Sequence, residues 1–285
     1  MLIFVEILSL KTNAMGNSAK RILFVNSEIY PYLPESPIAN IGRYLPQGIQ
    51  ERKKEIRSFM PRYGCINERK NQLHEVIRLS GMNIVINDVD RPLVIKVASI
   101  SAARIQVYFI DNEDFFSRRA VVTDENGVEF EDNDERMVFF ARGVLETVKK
   151  LRWTPDIVHC HGWFSSIAPL YLRKVFDNDP IFRDVKIVSS LYEDRFTTPL
   201  SSELRSKIEG EGIVDENISI IDNPSYENLY RFVMSHIDGV VAGSAAVDPK
   251  LLDEARAAGK KVLDYVSPEE EGFYENYTKF YDELF

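Results

Sequence analysis

Histidine and cysteine are scarce, at four and two in 285 residues. The two cysteines, Cys65 and Cys160, cannot form a disulfide framework and fit a reducing compartment, with Cys160 as a small buried hydrophobe. A metal site is not called for, because His159 and His161 lie two residues apart without an accompanying Cys or His cluster; no cofactor is expected either. Positive charge is also in short supply. Lys and Arg number 35 against 44 Asp and Glu, for a net charge of -9, which excludes the basic stripe of a dedicated nucleic-acid binder. Arg52-Lys53-Lys54 reads as a solvated helix end. Long apolar runs are missing as well. The nearest, Leu2 to Leu10, contains Glu6, lacks a basic flank and is too short to cross a bilayer. Residues 1–20 read as an N-terminal extension, with residues 1–14 upstream of a start at Met15, rather than as a signal peptide. A cytoplasmic protein away from any membrane is the expectation.

Apolar residues make up 45% of the chain, enough for a substantial core and against global disorder. The most informative stretch runs from Asp156 to Arg173. A short apolar strand, Ile157-Val158, leads into two histidines, a glycine and a tryptophan within His159 to Trp163. A helical pattern through Ile167, Leu170 and Tyr171 follows. A buried strand, a sharp loop and a helix start is how open α/β sheets build sites at the carboxyl ends of their strands.

The other segments fall into place around it. Arg21 to Asn26 is a fully buried strand by its continuous apolar run. Pro31, Pro34 and Pro37 break the following loop. A helix over 38–51 carries Ile38, Ile41, Leu45 and Ile49 on one face, with a kink or break expected at Pro46. Strands are expected at 55–60, 82–87, 93–98, 105–110, 185–190 and 239–243, the third and fourth of the whole series forming a hairpin. Helices are expected at 134–152, 201–210 and 226–235. Asp134 is expected to cap the first of these, and Ser244 a further helix through 251–257. The acidic, aromatic tail, 268–285, reads as one more helix. The alternation implies an α/β, doubly wound, mainly parallel Rossmann-like sheet over residues 21–285.

Six segments, in order, carry a resemblance. They are Ile22 to Pro31; Met60-Pro61-Arg62-Tyr63-Gly64; Tyr108 to Asp111 with Phe116 and Arg118; Glu131 to Arg136 with Phe139-Phe140; Pro155 to Trp163 with Ala168 to Leu172; and Asp238 to Ser244. Together they resemble the N-terminal half of bacterial glycogen synthases and plant starch synthases, retaining nucleotide-sugar-dependent glycosyltransferases of the GT-B architecture. The resemblance implies one half of a GT-B fold, the acceptor-side domain. As substrate-binding candidates it offers Glu28, Asn40, His161, Trp163 and Tyr192, with His161 the catalytic candidate if the chain is active.

Departures from the family pattern are concentrated where phosphate would bind. A Lys-Thr-Gly-Gly-Leu motif is replaced by Pro34-Glu35-Ser36-Pro37-Ile38, so amide donors are lost and Glu35 adds negative charge. Asn40 and Gly162 stand where the family has aspartates, and Tyr192-Glu193 where it has His-Asn. Donor-side binding is expected from a second domain that this sequence does not include. His161 fits either a sugar contact or a histidine that orders its turn; Trp163 fits either a stacking platform or core. Tyr192, Glu193 and Arg195 fit either a new polar site or a charged surface loop. The expected function is a synthase-like domain without autonomous activity, acting as a glucan-binding, regulatory or scaffold protein. The alternative is one half of a split ADP- or UDP-glucose-dependent α-glucan synthase. Partners would be an α-glucan or a separate donor-domain protein, and a homo-oligomer is a further option.

Overall fold

The computed structural model describes residues 19–285, so the reading of residues 1–14 as an upstream extension lies outside the described residues. Ile22 to Val25 of strand β1 (Arg21–Asn26) have no exposed surface, as a strand covered on both faces requires. Strands β2 (Glu55–Pro61) and β6 (Ile105–Asp111) continue the sheet on one side of it. On the other side run β7 (Ile157–His161), β8 (Lys186–Leu191), β9 (Gly239–Ala242) and β10 (Lys261–Leu263). All of these pairings are parallel. Beyond β6 the sheet turns antiparallel, through β5 (Val89–Ile100), which also pairs β3 (His74–Glu75) and β4 (Met82–Ile86). The β4–β5 hairpin forms as expected, but it turns at Asn87 and Asp88, both at positive φ, and residues 89–92 pair as strand rather than forming the connection.

The order β10-β9-β8-β7-β1-β2-β6 reverses direction between β1 and β7. This is the switch point at which doubly wound sheets open a crevice. The handedness of crossovers then assigns the helices to faces. Helix α1 (Pro37–Glu51) joins β1 to β2 and lies on one face. Between β6 and β7 come the short α2 (Glu113–Phe116) and the long α3 (Asn133–Leu151); this crossover runs back across the sheet, which puts α3 on the other face. So do the crossovers carrying α4 (Ala168–Lys174), α5 (Leu204–Gly210) with α6 (Tyr226–Met234), and α7 (Pro249–Ala257). On the α1 face, β7 to β9 would therefore be bare. The tail helix α8 (Phe273–Asp282) covers them. Tyr281 reaches His159 on β7, Phe280 lies against Gly239 on β9, and Tyr274 packs on Gly48 of α1. Lys54 and the Ala19 amide both bind Asp282, each at 3.1 Å.

Several local expectations need correction. Helix α1 runs unbroken through Pro46, because Ile38, Ile41, Leu45 and Ile49 are all buried against the sheet. That packing outweighs the local cost of an interior proline, about 3 kcal/mol. Asp132, not Asp134, occupies the cap position of α3. Asp134 sits in its first turn, buried and 2.8 Å from Lys207. Asp248 rather than Ser244 caps α7, and β10 follows the strand that was expected to be last.

Candidate functional site

The carboxyl ends of β1 and β7 meet at Asn26 and His161, which are paired in register. The Ser27 amide and hydroxyl both donate to the His161 carbonyl, at 3.0 and 2.8 Å, extending the strand pairing beyond the sheet. The chain then turns at Gly162, with φ 81° and ψ 162°, a conformation essentially restricted to glycine. Space is equally restrictive. A Cβ there would lie 2.5 Å from Ile38 Cδ1, 2.6 Å from Asp194 Oδ2 and 2.7 Å from Ser27 Oγ.

Neither histidine of the turn reaches solvent. His159 is held at both nitrogens, Nδ1 2.7 Å from the Tyr281 hydroxyl and Nε2 2.7 Å from Ser190 Oγ. His161 Nδ1 lies 2.7 Å from the Tyr192 hydroxyl, and its Nε2 has no hydrogen-bond partner among the described residues. The two imidazoles lie against each other, tilted by 38°, with centroids 3.9 Å apart. Burial pushes both pKa values down, His161 to about 3, and His159 further through the neighbouring ring. Both rings are therefore neutral at physiological pH. Tyr192 is 3% exposed and packs against Gly243, where a Cβ would fall 2.4 Å from its ring. Cys160, between the histidines, is buried and its thiol is pushed up by desolvation.

Asp194 is a residue that sequence reasoning passed over. Its carboxylate turns inward, accepting from the Trp163 amide at 2.8 Å and from the Tyr226 hydroxyl at 3.4 Å. Desolvation raises its pKa to about 6, against the lowering effect of the Trp163 amide. It occupies the space that a side chain at position 162 would need. The sequence signal was indirect: a glycine gained in one turn beside an aspartate in the next. Glu193, by contrast, is exposed and accepts from Ser244 Oγ at 3.1 Å. Arg195 pairs with Glu227 on the surface. Trp163 is 4% exposed and packs edge-on to Phe164 and Phe196, which places it in the core.

On the other side of the switch point, Ser36 caps α1. Its hydroxyl accepts from the Ala39 amide at 3.0 Å and donates to Glu28 Oε2 at 2.8 Å. Glu28 is half-buried and desolvation raises its pKa. Pro37 opens the helix and offers no amide hydrogen, while the Asn40 amide is taken by the Ser36 carbonyl at 2.9 Å. The helix start that would cradle a phosphate thus faces a carboxyl group and has its Ala39 and Asn40 amides committed.

Two long loops lock this edge. Glu129 accepts from the Thr197 and Thr198 amides at 2.7 and 2.9 Å, tying the segment before α3 to the loop after β8. Arg136, fully buried, donates to the Phe115 and Val121 carbonyls, both at 2.8 Å, and to Asn133 Oδ1 at 2.6 Å. With Phe116 and Phe164 around it, burial brings its pKa down to about 10. Beside the Glu129 clamp a cavity of about 330 Å³ remains open. Its walls include Phe130, Phe196, Glu131, Thr198 and Ser201, and among the described residues no Lys or Arg lines it.

Residues 21–255 match the family described as the starch synthase catalytic domain. The chain belongs to that family. Among curated relatives, the glycogen synthase of Chlorobium limicola is 39% identical over 173 residues, covering 60% of this chain and 35% of that protein. The glycogen synthase of Chlorobaculum tepidum is 36% identical over 173 residues, covering 60% and 36%. The chain thus spans about a third of the length of these relatives. Among solved structures, the catalytic domain of starch synthase IV from Arabidopsis thaliana, bound to ADP and acarbose, superposes with a TM-score of 0.67. At 15% identity it covers 88% of this chain and 52% of that one, which bears on fold alone. The α/β, mostly parallel sheet is that of a GT-B starch-synthase domain. In this starch-synthase-family chain, His161 and Tyr192 meet in one buried pair and Trp163 packs separately with Phe164 and Phe196, whereas Asn40 lies in α1 and Glu28 accepts from its Ser36 cap. No helix among the described residues is long and apolar enough to cross a membrane.

Proposed function

We propose that this starch-synthase-family domain does not transfer glucosyl units by itself and serves as a glucan-binding protein with a regulatory or scaffold role. The observation that carries the reading is the sealing of His161. Its ring is fully buried, neutral and bonded to Tyr192, while Asp194 fills the space beside Gly162. With its ring closed off from solvent, His161 is not placed to touch a sugar. The diphosphate of a nucleotide sugar would also meet Glu28 in place of free helix amides. The cation-free cavity beside Glu129 suits a neutral polyhydroxyl ligand, with carboxylates and hydroxyls as hydrogen-bonding partners and an apolar floor. Its volume falls at the lower end of the range for small-molecule sites, about 300–1,000 Å³.

The test is incubation of the purified chain with maltoheptaose and either ADP-glucose or UDP-glucose, alongside calorimetric titration with each. Saturable binding of maltoheptaose without glucosyl transfer is the expected result. Measurable transfer by the chain alone overturns the reading. The split-enzyme alternative makes a separate claim, that transfer appears when a donor-domain chain is added. The closed geometry around His161 argues against it.

A further inference from the structure

The amino-terminal edge of the sheet carries a second cavity, remote from the switch point. It has a volume of about 880 Å³ and opens between the end of α4, the start of β8 and the turns before β9 and β10. Arg173, Lys174, Arg183, Lys186 and Lys260 line it, in a chain whose net charge is -9. The opposing carboxylates are Asp184 and Asp238 on the wall and Asp215 behind Lys174. Phe285 also lines it, and with its carboxylate the balance is five cations against four carboxylates, a surplus of one.

The cations are unequally committed. Arg173 pairs with Asp238 at 2.8 Å, and Lys174 with Asp215 at 2.9 Å. Both sit in the last turn of α4, where the helix dipole alone accounts for them. That account does not extend to Arg183, Lys186 or Lys260, which lie on no helix. Lys186 comes only within 3.8 Å of Asp238. Lys260 donates to the Ile237 carbonyl at 2.8 Å; like Arg183, it has no ion pair among the described residues. His236, on the wall, is 6% exposed, and its Nε2 lacks a hydrogen-bond partner, lying 3.4 Å from Asp215. The crowding has a signature. Burial first, then Lys174, Lys260 and Arg173, bring the His236 pKa down to about 4 against the pull of Asp215. Burial and Arg173 also lower Lys260. An anion in the cavity relieves that repulsion.

We propose that this cavity binds a phosphate-bearing small molecule, with Arg183, Lys186 and Lys260 making charge-assisted hydrogen bonds to the phosphate. Arg and Lys together are the side chains that recognise phosphate, and these three are the least committed of the five cations here. The volume leaves room for a sugar or nucleoside attached to it. This site is independent of the glucan reading and stands or falls separately.

The test uses the full chain at constant ionic strength, titrated with inorganic phosphate, glucose 1-phosphate and AMP. Calorimetry reads binding, and NMR follows the His236 imidazole. Saturable binding of at least one probe is expected, with a shift of the His236 resonances. Which probe binds most tightly identifies what is attached to the phosphate. Arg183→Gln with Lys186→Gln should weaken binding at least about tenfold, or about 1.4 kcal/mol. Lys250→Gln, on α7 and outside the lining, should leave it unchanged. No saturable binding in the millimolar range overturns the proposal. So does binding that is equal in the double variant and the wild-type chain.

Discussion

The two ends of the parallel sheet differ in closure and in charge. At the carboxyl end, side chains have filled the crevice at the switch point itself, and the smaller cavity beside Glu129 remains open. His161 is capped by Tyr192, Gly162 is backed by Asp194, and Ser36 spends its hydroxyl on Glu28. At the amino end, which the topology does not mark, the chain leaves a cavity of about 880 Å³ with uncommitted cations. A fold therefore inherits the place of a site but not its openness or its sign of charge. Those depend on a few side chains, and here the residues near the switch point have been spent on one another.

The sharpest way to break this comparison is to restore a side chain at the filled end. Gly162→Asp meets both a glycine-only backbone and three atoms within 2.7 Å. The expected destabilisation in urea unfolding is about 4 kcal/mol. Gly127→Asp, at φ 79° with open space around it, should cost only about 1 kcal/mol. Equal losses would show that Gly162 is not packed as described. Next in size, Tyr281→Ala should lose about 3 kcal/mol by uncovering β7. Tyr281→Phe should lose about 1–2 kcal/mol by leaving His159 Nδ1 without its partner. Tyr192→Phe should cost a similar amount at His161. If it costs nothing, the hydroxyl does not hold the ring.

Acid titration sharpens the picture further. An unfolded histidine titrates near 6.5, the folded His161 near 3. Between these values the unfolded chain binds more protons, so stability rises with pH and this contribution is complete above about 6.5. Asp194 acts oppositely. Its carboxyl titrates near 6 when folded and about 3.9 when unfolded, so its contribution is full below about 3.9 and lost as pH rises through 6. Asp194→Asn should therefore steepen the rise of stability between about pH 4 and 6. A flatter profile in that variant would reverse the assignment of the buried carboxyl.

Much of the fold was legible because its signals are local. Ile22 to Val25 reads as a doubly covered strand, and the two apolar runs on either side of Asp88 to Pro92 read as a hairpin. Lys261 to Leu263 was not legible, because three residues carry no period. The place of α8 was not legible either. Its aromatic stripe announces a helix, but only the bare face over β7 to β9 explains where Tyr281 goes. At the site, the sequence pointed to the right turns and marked the loss of amide donors at Pro34 and Pro37. It could not separate a ligand-facing His161 from a sealed one, since that depends on the Tyr192 hydroxyl arriving from another strand. Asp194 was obscured by its exposed neighbours Glu193 and Arg195, which make the loop read as surface.

The most direct test of the central claim is a calorimetric titration of the purified chain with ADP-glucose. A sealed switch point with Glu28 at the helix start predicts no saturable heat in the millimolar range. Saturable binding that is lost in His161→Ala, with that variant still folded, would contradict it and return the crevice to a nucleotide sugar.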